Sequence, residues 1–329
     1  MIRHCPDILD GNALFPDYIL IKEIVMHDIV IIGAGPAGLT AALYARRADK
    51  SVLLIEKESF GGQITHSPKV ENYPTLMQIS GNELAQMMLD QVMEHGADVE
   101  LAEVQGIVDN GETKTVKTDM GDYEASAVII ATGSKHRQLG LDKEDELIGK
   151  GISYCAVCDG AFFSGADVAI VGGGNTALQE AIMLSEYCTH VTIVQNLSFM
   201  TGEARLVSQL EKRSNVTMIY DTLVDEIVGE EKLEGLKLTN SKTGEKSTLE
   251  VEGLFVAIGQ KPENECFENI TSLNEYGYIV AGEDCLTDSE GVFTAGDCRT
   301  KAVRQITTAC SDGAVAALAA CRYIDAKKQ

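Results

Sequence analysis

Two cysteines and a carboxylate form the densest cluster of reactive side chains in the sequence. Cys155 and Cys158 are separated by two residues, and Asp159 follows directly. Two thiols at this spacing can close a small disulfide ring, and a helix that begins beside them would lower the pKa of one thiol so that a thiolate is available to attack. Asp159 is positioned to give and take the proton. The pair has three candidate uses: a structural zinc site, a bystander pair of buried thiols, or a dithiol–disulfide redox couple.

Zinc is the weakest of these three uses. A structural zinc site needs four ligands, but the next cysteine is the isolated Cys188, 30 residues beyond Cys158, and no second CxxC or paired histidine follows. Asp159 has an alternative use as the N-cap of a helix, because it precedes Gly160. We expect the other seven cysteines to be small buried hydrophobes or inert surface thiols. They are Cys5, Cys188, Cys266, Cys285, Cys298, Cys310 and Cys321.

Two copies of one supersecondary unit supply the elements that would position a site. In the first copy, residues 28–32 predict a strand, the GAGPAG segment 33–38 predicts a tight turn, and an Ala-rich helix and a second strand ending at Glu56 follow. In the second copy, residues 167–171 predict the strand, the GGGNTA segment 172–177 the turn, and the last strand ends before Gln195. Glu56 lies 23 residues after Gly33, and Gln195 lies 23 residues after Gly172. The two copies are therefore in register.

Each copy matches the βαβ unit that binds dinucleotides. In that unit the first glycine allows the tight turn, the second lets the backbone approach a pyrophosphate, and the third glycine or alanine lets helix and strand pack closely. The helix N-terminus then offers free N–H groups to the phosphate. In the first copy we predict a bound dinucleotide whose adenosine ribose is held by Glu56, against the alternative of a structural turn and a solvated carboxylate. The candidate binding residues of this turn are Gly33, Gly35, Pro36, Ala37 and Gly38.

The order of the motifs resembles that of the low-molecular-weight thioredoxin reductases, from about Asp28 to Asp325. These motifs are the first glycine turn, Gly61-Gly62-Gln63, Glu71-Asn72-Tyr73-Pro74, Ala131-Thr132-Gly133, Cys155-Ala156-Val157-Cys158-Asp159-Gly160, Gly296-Asp297 and Arg304-Gln305. The resemblance implies an α/β fold of the flavin disulfide reductase type, with two Rossmann-like dinucleotide-binding domains, the second inserted into the first. It implies an FAD-binding domain over 26–137 and 265–329, and a redox-dithiol domain with a degenerate pyridine-nucleotide fold over 138–264. Residues 1–25 are expected to be a dispensable N-terminal extension.

The same resemblance implies the site and its partners. Cys158 would face the flavin, Cys155 would attack the disulfide of thioredoxin, and Asp159 would be the general acid and base. A homodimer is also implied. FAD would contact, beyond the first turn and Glu56, the residues Gly62, Gln63, Asn72, Ala131, Thr132, Gly133, Gly296, Asp297, Arg304 and Gln305.

The second copy departs from the family in the segment that would select the electron donor. Members that use NADPH carry a His-Arg-Arg-x-x-x-Arg run there, whose guanidinium groups form charge-assisted bonds to the 2′-phosphate. The corresponding positions here are Gln195, Asn196, Leu197 and Thr201. Gln195 also lacks the charge with which an acid accepts bonds from the ribose hydroxyls of NADH. The sequence therefore resembles the ferredoxin-dependent flavin thioredoxin reductases, and the second glycine turn is expected to serve packing alone.

Other electron-transfer functions remain as alternatives. The first is the same reductase supplied by NADH or NADPH. A flavin electron carrier, a ferredoxin–nicotinamide oxidoreductase or a non-catalytic dinucleotide sensor would not need a CxxC pair beside Asp159. Ferredoxins are usually acidic, so docking would need a basic patch. The candidate clusters for it are residues 135–137 and Arg299 with Lys301, with a solvated loop as the favoured alternative for both.

Composition limits the classes of partner. The 329 residues include 27 Lys and Arg against 50 Asp and Glu, a net charge of −23, so general attraction to nucleic acid or to an anionic membrane is excluded. The sequence contains no run of about 18 or more apolar residues, which is the length that a membrane-spanning helix needs. Nine cysteines without framework spacing fit thiols kept reduced in a cytoplasm.

Overall fold

A computed structural model describes residues 26–67 and 69–328. The predicted N-terminal extension and Cys5 lie outside the described residues. The strands are β1 (Met26–Ile32), β2 (Val52–Glu56), β3 (Asp98–Leu101), β4 (Val104–Asp109), β5 (Lys114–Thr118), β6 (Gly121–Ile130), β7 (Lys135–His136), β8 (Ile152–Ser153), β9 (Asp167–Val171), β10 (His190–Val194), β11 (Val216–Ile219), β12 (Thr222–Gly229), β13 (Leu233–Asn240), β14 (Lys246–Glu250), β15 (Gly253–Val256), β16 (Gln260–Lys261) and β17 (Val292–Thr294).

Six α-helices and five 3₁₀ turns connect the strands of the described chain. The helices are α1 (Pro36–Arg47), α2 (Gly81–Glu94), α3 (Ala156–Asp159), α4 (Asn175–Leu184), α5 (Ala204–Leu210) and α6 (Ile306–Lys327). The 3₁₀ turns are Gly62–His66, Asp145–Leu147, Gly160–Phe163, Glu265–Phe267 and Gly296–Cys298. Because α1 and α4 begin within their glycine turns, both predicted strand–turn–helix units are confirmed.

The first sheet has the strand order β3-β2-β1-β6-β5-β4. Strands β1, β2, β3 and β6 are parallel, whereas β4 and β5 form an antiparallel hairpin beside the first half of β6. The second half of β6 pairs in parallel with β17, which enters from the far end of the chain. Near-continuous burial of β1, β2 and the end of β6 is typical of a parallel sheet covered on both faces.

The second sheet is fully parallel and has the order β11-β10-β9-β15-β8. Strands β12, β13 and β14 form a separate antiparallel sheet beside it. The chain leaves the first sheet after β6, builds the second sheet, and returns in time to add β17. The segment that leaves the first sheet and the segment that returns to it pair with each other: β7 and β16 form a two-stranded antiparallel ribbon in which His136 pairs with Gln260.

Small residues allow α1 and α6 to approach closely on one face of the first sheet. A Cβ atom on Gly313 of α6 would lie 2.2 Å from the carbonyl oxygen of Ala37 of α1. Fully buried alanines fill the contact on both helices, among them Ala41 and Ala42 on α1 and Ala316 on α6. This packing holds the first glycine turn against the start of α6. Within the described residues, no helix is both long and apolar enough to cross a membrane.

Candidate active site

Cys155 and Cys158 form a disulfide at the start of the short helix α3, with their Cα atoms 5.3 Å apart. Cys155 is the N-cap of α3, and the backbone N–H of Cys158 donates to Cys155 Sγ at 3.2 Å. The pair therefore lies at the end of the helix where backbone N–H groups stabilise negative charge on sulfur. Both cysteines are partly exposed, which a disulfide must be to meet a second sulfur.

Asp159 is tied to the disulfide through one hydroxyl. Ser153 Oγ donates to Asp159 Oδ2 at 2.6 Å and accepts from the backbone N–H of Cys155 at 3.1 Å. Asp159 Oδ1 is buried without a partner in the described part of the chain. Burial raises the pKa of this carboxyl, and the Ser153 hydrogen bond opposes the shift only in part. Asp159 ends α3 and also occupies the N-cap position of the 3₁₀ turn Gly160–Phe163, but its side chain makes no capping bond there.

The first glycine turn presents an uncapped helix end. The backbone of Gly35 precedes α1 with no side-chain capping bond, and a Cβ atom on Gly35 would have Gly61 O, at 3.9 Å, as its nearest neighbour. Glu56 lies beneath the turn: its Oε2 accepts the backbone N–H of Ala34 at 2.8 Å. The open N-terminus of α1 beside a buried carboxylate has the geometry of a dinucleotide phosphate and ribose site.

Two other glycines of this turn are required by close contacts. A Cβ atom on Gly38 would lie 1.8 Å from the carbonyl oxygen of Gly33. Gly33 has φ of +101°, and its Cβ would lie 2.4 Å from the carbonyl oxygen of Ala131. The segment Ala131-Thr132-Gly133 is thereby brought against the turn, and the Thr132 hydroxyl donates to Asn264 Oδ1 at 2.9 Å.

The residues expected at the flavin end also converge. Asn72 Nδ2 donates to Gln305 Oε1 at 3.1 Å, and Gly296 approaches α1 so closely that a Cβ atom there would lie 2.8 Å from Ala37 Cβ. Gly62 contacts the first turn, since its Cβ would lie 3.3 Å from Gly35 Cα. Gln63, on the following 3₁₀ turn, is exposed. Gly62 and Gly296 therefore lie against the first turn and α1, and Asn72 contacts Gln305 at the start of α6.

Two buried polar atoms in this region lack partners within the described chain. They are Asp297 Oδ1 and Arg304 Nε, and the Arg304 guanidinium lies 4.4 Å from the ring centroid of Tyr278. Burial raises the pKa of Asp297. An unpartnered acceptor and an unpartnered donor fit a ligand that carries both hydroxyl and carbonyl groups, as the ribityl chain and ring of a flavin do. The residues present fit FAD.

Asp312 supports this end of the site and was not found by sequence reasoning. Its Oδ2 accepts the backbone N–H of Gly296 at 3.0 Å, and Arg299 and Lys301 both bind it at 2.9 Å. Arg299 is 1% exposed and Lys301 is also buried. The interpretation of Arg299 and Lys301 as a docking patch is therefore wrong: both cations are used inside the protein.

The second candidate docking cluster is mostly occupied as well. Lys135 Nζ lies 2.7 Å from Glu58 and 3.6 Å from Glu263. His136 packs on the Tyr154 ring with centroids 5.3 Å apart, and burial lowers its pKa, so it carries no charge at neutral pH. Arg137 is exposed. Among the described residues, Arg137 is the one cation of this cluster without an ion pair, and a single exposed cation offers little attraction for an acidic protein.

At the second glycine turn, Gln195 stands where an acid would bind the ribose of a dinucleotide, and its side chain bonds to its own loop. Gln195 is 4% exposed; its Nε2 donates to Phe199 O at 3.0 Å and its Oε1 accepts the N–H of Asn196 at 3.1 Å. The same amide packs on Gly173, whose Cβ would lie 2.2 Å from Gln195 Nε2. Gly174 is less crowded, with Thr201 Oγ1 at 3.8 Å from a Cβ placed there. The backbone of the second turn is intact, but the Gln195 amide is already hydrogen-bonded within the protein.

One cation near this loop was missed by the sequence reasoning. Lys242 Nζ binds Ser198 Oγ at 2.7 Å and pairs with Asp221 at 3.1 Å. Asn196, Leu197 and Thr201 are exposed. Sequence distance hid Lys242, because it lies on the hairpin between β13 and β14. Ser153 and Asn264 were missed for a different reason: an isolated hydroxyl or amide gives no motif.

Comparisons with known proteins agree with this arrangement. A family model for pyridine nucleotide-disulphide oxidoreductases matches residues 27–313. A thioredoxin reductase of Listeria monocytogenes is 41% identical over 309 residues, covering 94% of this chain and 97% of that protein. The crystal structure of a Streptococcus pyogenes thioredoxin reductase matches with a TM-score of 0.88 at 38% identity, over 92% of this chain and 100% of that one. A ferredoxin-flavin thioredoxin reductase of Clostridium acetobutylicum matches with a TM-score of 0.50 at 33% identity, over 92% and 99% of the two chains.

Proposed function

The chain belongs to the pyridine nucleotide-disulphide oxidoreductase family, and on this premise we propose that it reduces the disulfide of thioredoxin through FAD and the Cys155–Cys158 pair. Homology to low-molecular-weight thioredoxin reductases supports the reaction class and a flavin cofactor. The observation that carries the proposal is the disulfide at the start of α3, tied through Ser153 to a carboxyl with a raised pKa.

FAD is the proposed flavin, bound by the first glycine turn. The open N-terminus of α1, the buried Glu56 and the unpartnered atoms of Asp297 and Arg304 support this assignment. We propose that residues 26–137 and 265–329 form the FAD-binding domain and that 138–264 form the redox-dithiol domain. The β7–β16 ribbon lies next to both boundaries and supports them. When bound, FAD supplies a store for an electron pair that it can pass to the disulfide.

In the proposed mechanism, Cys155 and Cys158 carry out thiol–disulfide exchange and Asp159 transfers protons. Reduction breaks the Sγ–Sγ bond with two electrons and takes up protons to give a thiol and a thiolate, or two thiols. The Cys155 thiolate attacks one sulfur of the thioredoxin disulfide and releases the other, which is protonated by Asp159. The Cys158 thiolate then attacks Cys155, which releases dithiol thioredoxin and restores the starting disulfide.

Single cysteine variants test these roles in the FAD-loaded full chain. Cys155→Ser should leave a Cys158 thiolate that donates charge to the flavin, seen as a long-wavelength absorbance band at neutral to alkaline pH, and Cys158→Ser should remove that band. Neither should reduce thioredoxin, whereas the control Cys266→Ser should behave as the unmodified protein. The reverse spectral pattern would exchange the two roles, and thioredoxin reduction by both variants would overturn the proposed function.

Ferredoxin is the proposed electron donor. The support comes from the loop over 195–201. The Gln195 amide is hydrogen-bonded to the backbone of this loop, and the positions where NADPH-dependent members carry arginine hold Asn196, Leu197 and Thr201. Losing two or three charge-assisted bonds weakens 2′-phosphate binding by about 3–9 kcal/mol, of which even the lower end is about a hundredfold in affinity.

NADPH or NADH is the second candidate donor, favoured by a separate observation. The ammonium group of Lys242 reaches the 195–201 loop at Ser198, where it could meet a phosphate, and the second glycine turn is uncrowded at Gly174. Anaerobic stopped-flow at the flavin absorbance, with reduced ferredoxin, NADPH and NADH as separate donors, decides between them. Rapid, saturable reduction by a micromolar nicotinamide cofactor would exclude the ferredoxin proposal and leave the disulfide reductase in place.

Two further proposals follow from the resemblance and from cysteine chemistry. We expect a homodimer, which sedimentation of the full chain would test. We also propose that the protein works in a reducing, cytoplasmic compartment, since six cysteines of the described residues are free.

A further inference from the structure

Ser153 joins the two ends of the redox segment, and the proposed thiol–disulfide exchange does not use it. It is the last residue of β8, is 4% exposed, and pairs in register with Phe255 of β15. Its hydroxyl bonds to the backbone of Cys155 on one side and to the carboxyl of Asp159 on the other. A buried residue of the second sheet therefore holds the carboxyl beside the disulfide.

The hydrogen of the Ser153 hydroxyl has one favourable direction. A serine hydroxyl has one hydrogen to donate and two lone pairs that accept, and one lone pair accepts the backbone N–H of Cys155 at 3.1 Å. The Cys155 carbonyl oxygen lies 3.4 Å from Ser153 Oγ and already accepts the backbone N–H groups of Cys158 and Asp159. Asp159 Oδ2 lies only 2.6 Å from Ser153 Oγ, so the hydrogen points to Oδ2.

This bond makes the two oxygens of Asp159 unequal. Oδ2 accepts from Ser153, whereas Oδ1 is buried and has no partner among the described residues. A buried acceptor without a partner costs stability and calls for an explanation, of which a catalytic role is one. A neutral carboxyl still accepts at its carbonyl oxygen, so protonation of Oδ1 keeps the Ser153 bond. Oδ1 is therefore the oxygen that can gain and lose a proton without breaking a hydrogen bond.

Few other titratable groups surround this carboxyl in the described chain. α3 packs on the 3₁₀ turn Gly160–Phe163, which has no titratable side chain, and on α4, whose titratable side chain is Glu180. Strands β8 and β15 have none. Tyr187, just after α4, places its hydroxyl against the start of the 3₁₀ turn. Burial raises the pKa of Asp159 and the Ser153 hydrogen bond lowers it, so Ser153 is the group whose removal should change the titration most directly.

We propose that Ser153 is a positioning residue for proton transfer: it holds Asp159 by Oδ2 and so reserves Oδ1 as the oxygen that gives and takes the proton. The proposal rests on the proposed dithiol mechanism. Oδ1 protonates the first sulfur that leaves the thioredoxin disulfide, accepts the proton of the Cys158 thiol, and passes it to the second leaving sulfur. Two electrons and two protons that entered on reduction of the Cys155–Cys158 disulfide thus leave in dithiol thioredoxin.

The test is a single turnover of the pre-reduced protein, which needs no physiological donor. The FAD-loaded full chain, reduced anaerobically with one equivalent of dithionite, is mixed with oxidised thioredoxin between about pH 5 and pH 10. Because this chain has no tryptophan, the tryptophan fluorescence of thioredoxin follows the reaction. The saturated rate should fall as the pH rises through the pKa of Asp159, since the proton donor is lost, and Asp159→Asn should remove this falling limb.

Removal of the Ser153 hydroxyl should change both the rate and its pH profile. Ser153→Ala should lower the saturated rate about tenfold and leave the half-saturating thioredoxin concentration unchanged, because the acid loses its orientation while the substrate contacts remain. Its falling limb should move up by about one pH unit, because the ionised Asp159 loses the hydrogen bond that stabilises its charge. Ser153→Thr keeps a hydroxyl and should restore the pH profile.

The control is Ser185→Ala, which removes another buried hydroxyl. Ser185 is 7% exposed, and its hydroxyl donates to Ile182 O and accepts from Arg213. Its profile should match that of the unmodified protein. A falling limb that stays in place in Ser153→Ala, whatever the rate, would overturn the Ser153 proposal, and so would a limb that persists in Asp159→Asn. A pre-reduced protein that reduces no thioredoxin at any pH would instead contradict the proposed function itself.

A second measurement covers the case in which Ser153→Ala does not fold. Infrared spectra of the unmodified protein over the same pH range should contain a protonated carboxyl band that Asp159→Asn removes. The carbonyl stretch of that band should lie at the lower frequency of a hydrogen-bonded carbonyl, because Oδ2 accepts from Ser153. A band at the frequency of a carbonyl without a hydrogen bond, or no such band at any pH, would overturn the proposal.

Discussion

The two glycine turns of this chain have the same backbone and different side-chain chemistry. Gly35 and Gly174 both precede a helix in extended conformation, with φ of −73° and −83°, and a Cβ on either would have no neighbour closer than about 3.8 Å. Beneath the first turn Glu56 presents a carboxylate that accepts three backbone N–H groups. Beneath the second turn Gln195 spends both amide atoms on its own loop.

This difference distinguishes the residues that helix–strand packing requires from the residues that a bound dinucleotide requires. A helix must pack on a strand whether or not a dinucleotide binds, so the glycines remain in both turns. The arginines and the unpartnered polar atoms serve only a bound ligand, and the acid has lone pairs for ribose hydroxyls beyond its bonds to the backbone. The first turn has the acid and lies beside the unpartnered Asp297 and Arg304, whereas the second lacks the acid and the arginines. Glycine spacing therefore predicts the fold, and the residues around it predict the ligand.

The largest expected effect comes from adding one methyl group to each turn. Gly35→Ala should lower FAD affinity by about a hundredfold or more, about 2.8 kcal/mol, because the added Cβ stands where backbone must approach the pyrophosphate. Gly174→Ala, its matched control, should leave FAD binding and ferredoxin-driven thioredoxin reduction unchanged. FAD titration followed by fluorescence, with melting of the apoprotein as a folding check, measures both. Equal loss of FAD in the two variants would mean that the turns are not functionally distinct.

The next effect restores the missing arginines. Asn196, Leu197 and Thr201 are exposed, so the triple replacement by arginine has room for its side chains. Each regained charge-assisted bond is worth about 1.5–3 kcal/mol before solvent screening, and we expect KM for NADPH to fall at least about tenfold with KM for NADH unchanged. Steady-state kinetics with both cofactors measures the difference. An equal gain for NADH would indicate that general positive charge, and not recognition of the 2′-phosphate, is responsible.

Much of the fold was predictable because hydrophobic periodicity and glycine turns act locally. The strand over 28–32 was predicted within two residues of β1, and the strand over 167–171 coincides with β9. The Cys155–Cys158 pair was predictable from its spacing. Asp312 was not, because it acts across a contact between elements that are distant in sequence. Arg299 was misread because a lone cation in a sequence carries no sign of the Asp312 that buries it.

A smaller effect concerns the approach of the donor. Because Arg299 and Lys301 are buried on Asp312 and Lys135 is paired, the net charge of −23 should repel an acidic ferredoxin. Salt screens this repulsion, so the rate of ferredoxin-driven flavin reduction should rise about two- to fivefold between low and moderate ionic strength. Stopped-flow at several salt concentrations measures it. A rate that falls with salt would reveal a basic docking surface that uses other residues, Arg137 among them.

The last comparison concerns stability, and it contrasts the buried Glu56 of the first unit with the partly buried Glu180 on α4 of the second. Glu56 accepts three backbone N–H groups, whereas burial raises the pKa of Glu180 to about 7 from its ordinary 4.5. A carboxyl whose pKa is higher in the folded chain binds its proton more tightly there, so its contribution to stability is complete below about pH 4.5 and is lost as the pH rises through 7. Between pH 5 and pH 7 the unmodified protein should therefore lose about 1–2 kcal/mol relative to Glu180→Gln. The control Glu186→Gln, which removes the same charge from an exposed side chain just after α4, should follow the unmodified protein. Urea unfolding of the three proteins at both pH values, with the same FAD loading, measures this. A Glu180→Gln protein whose stability changes with pH as the unmodified protein does would show that Glu180 keeps its charge throughout, and that the two units treat their carboxylates alike.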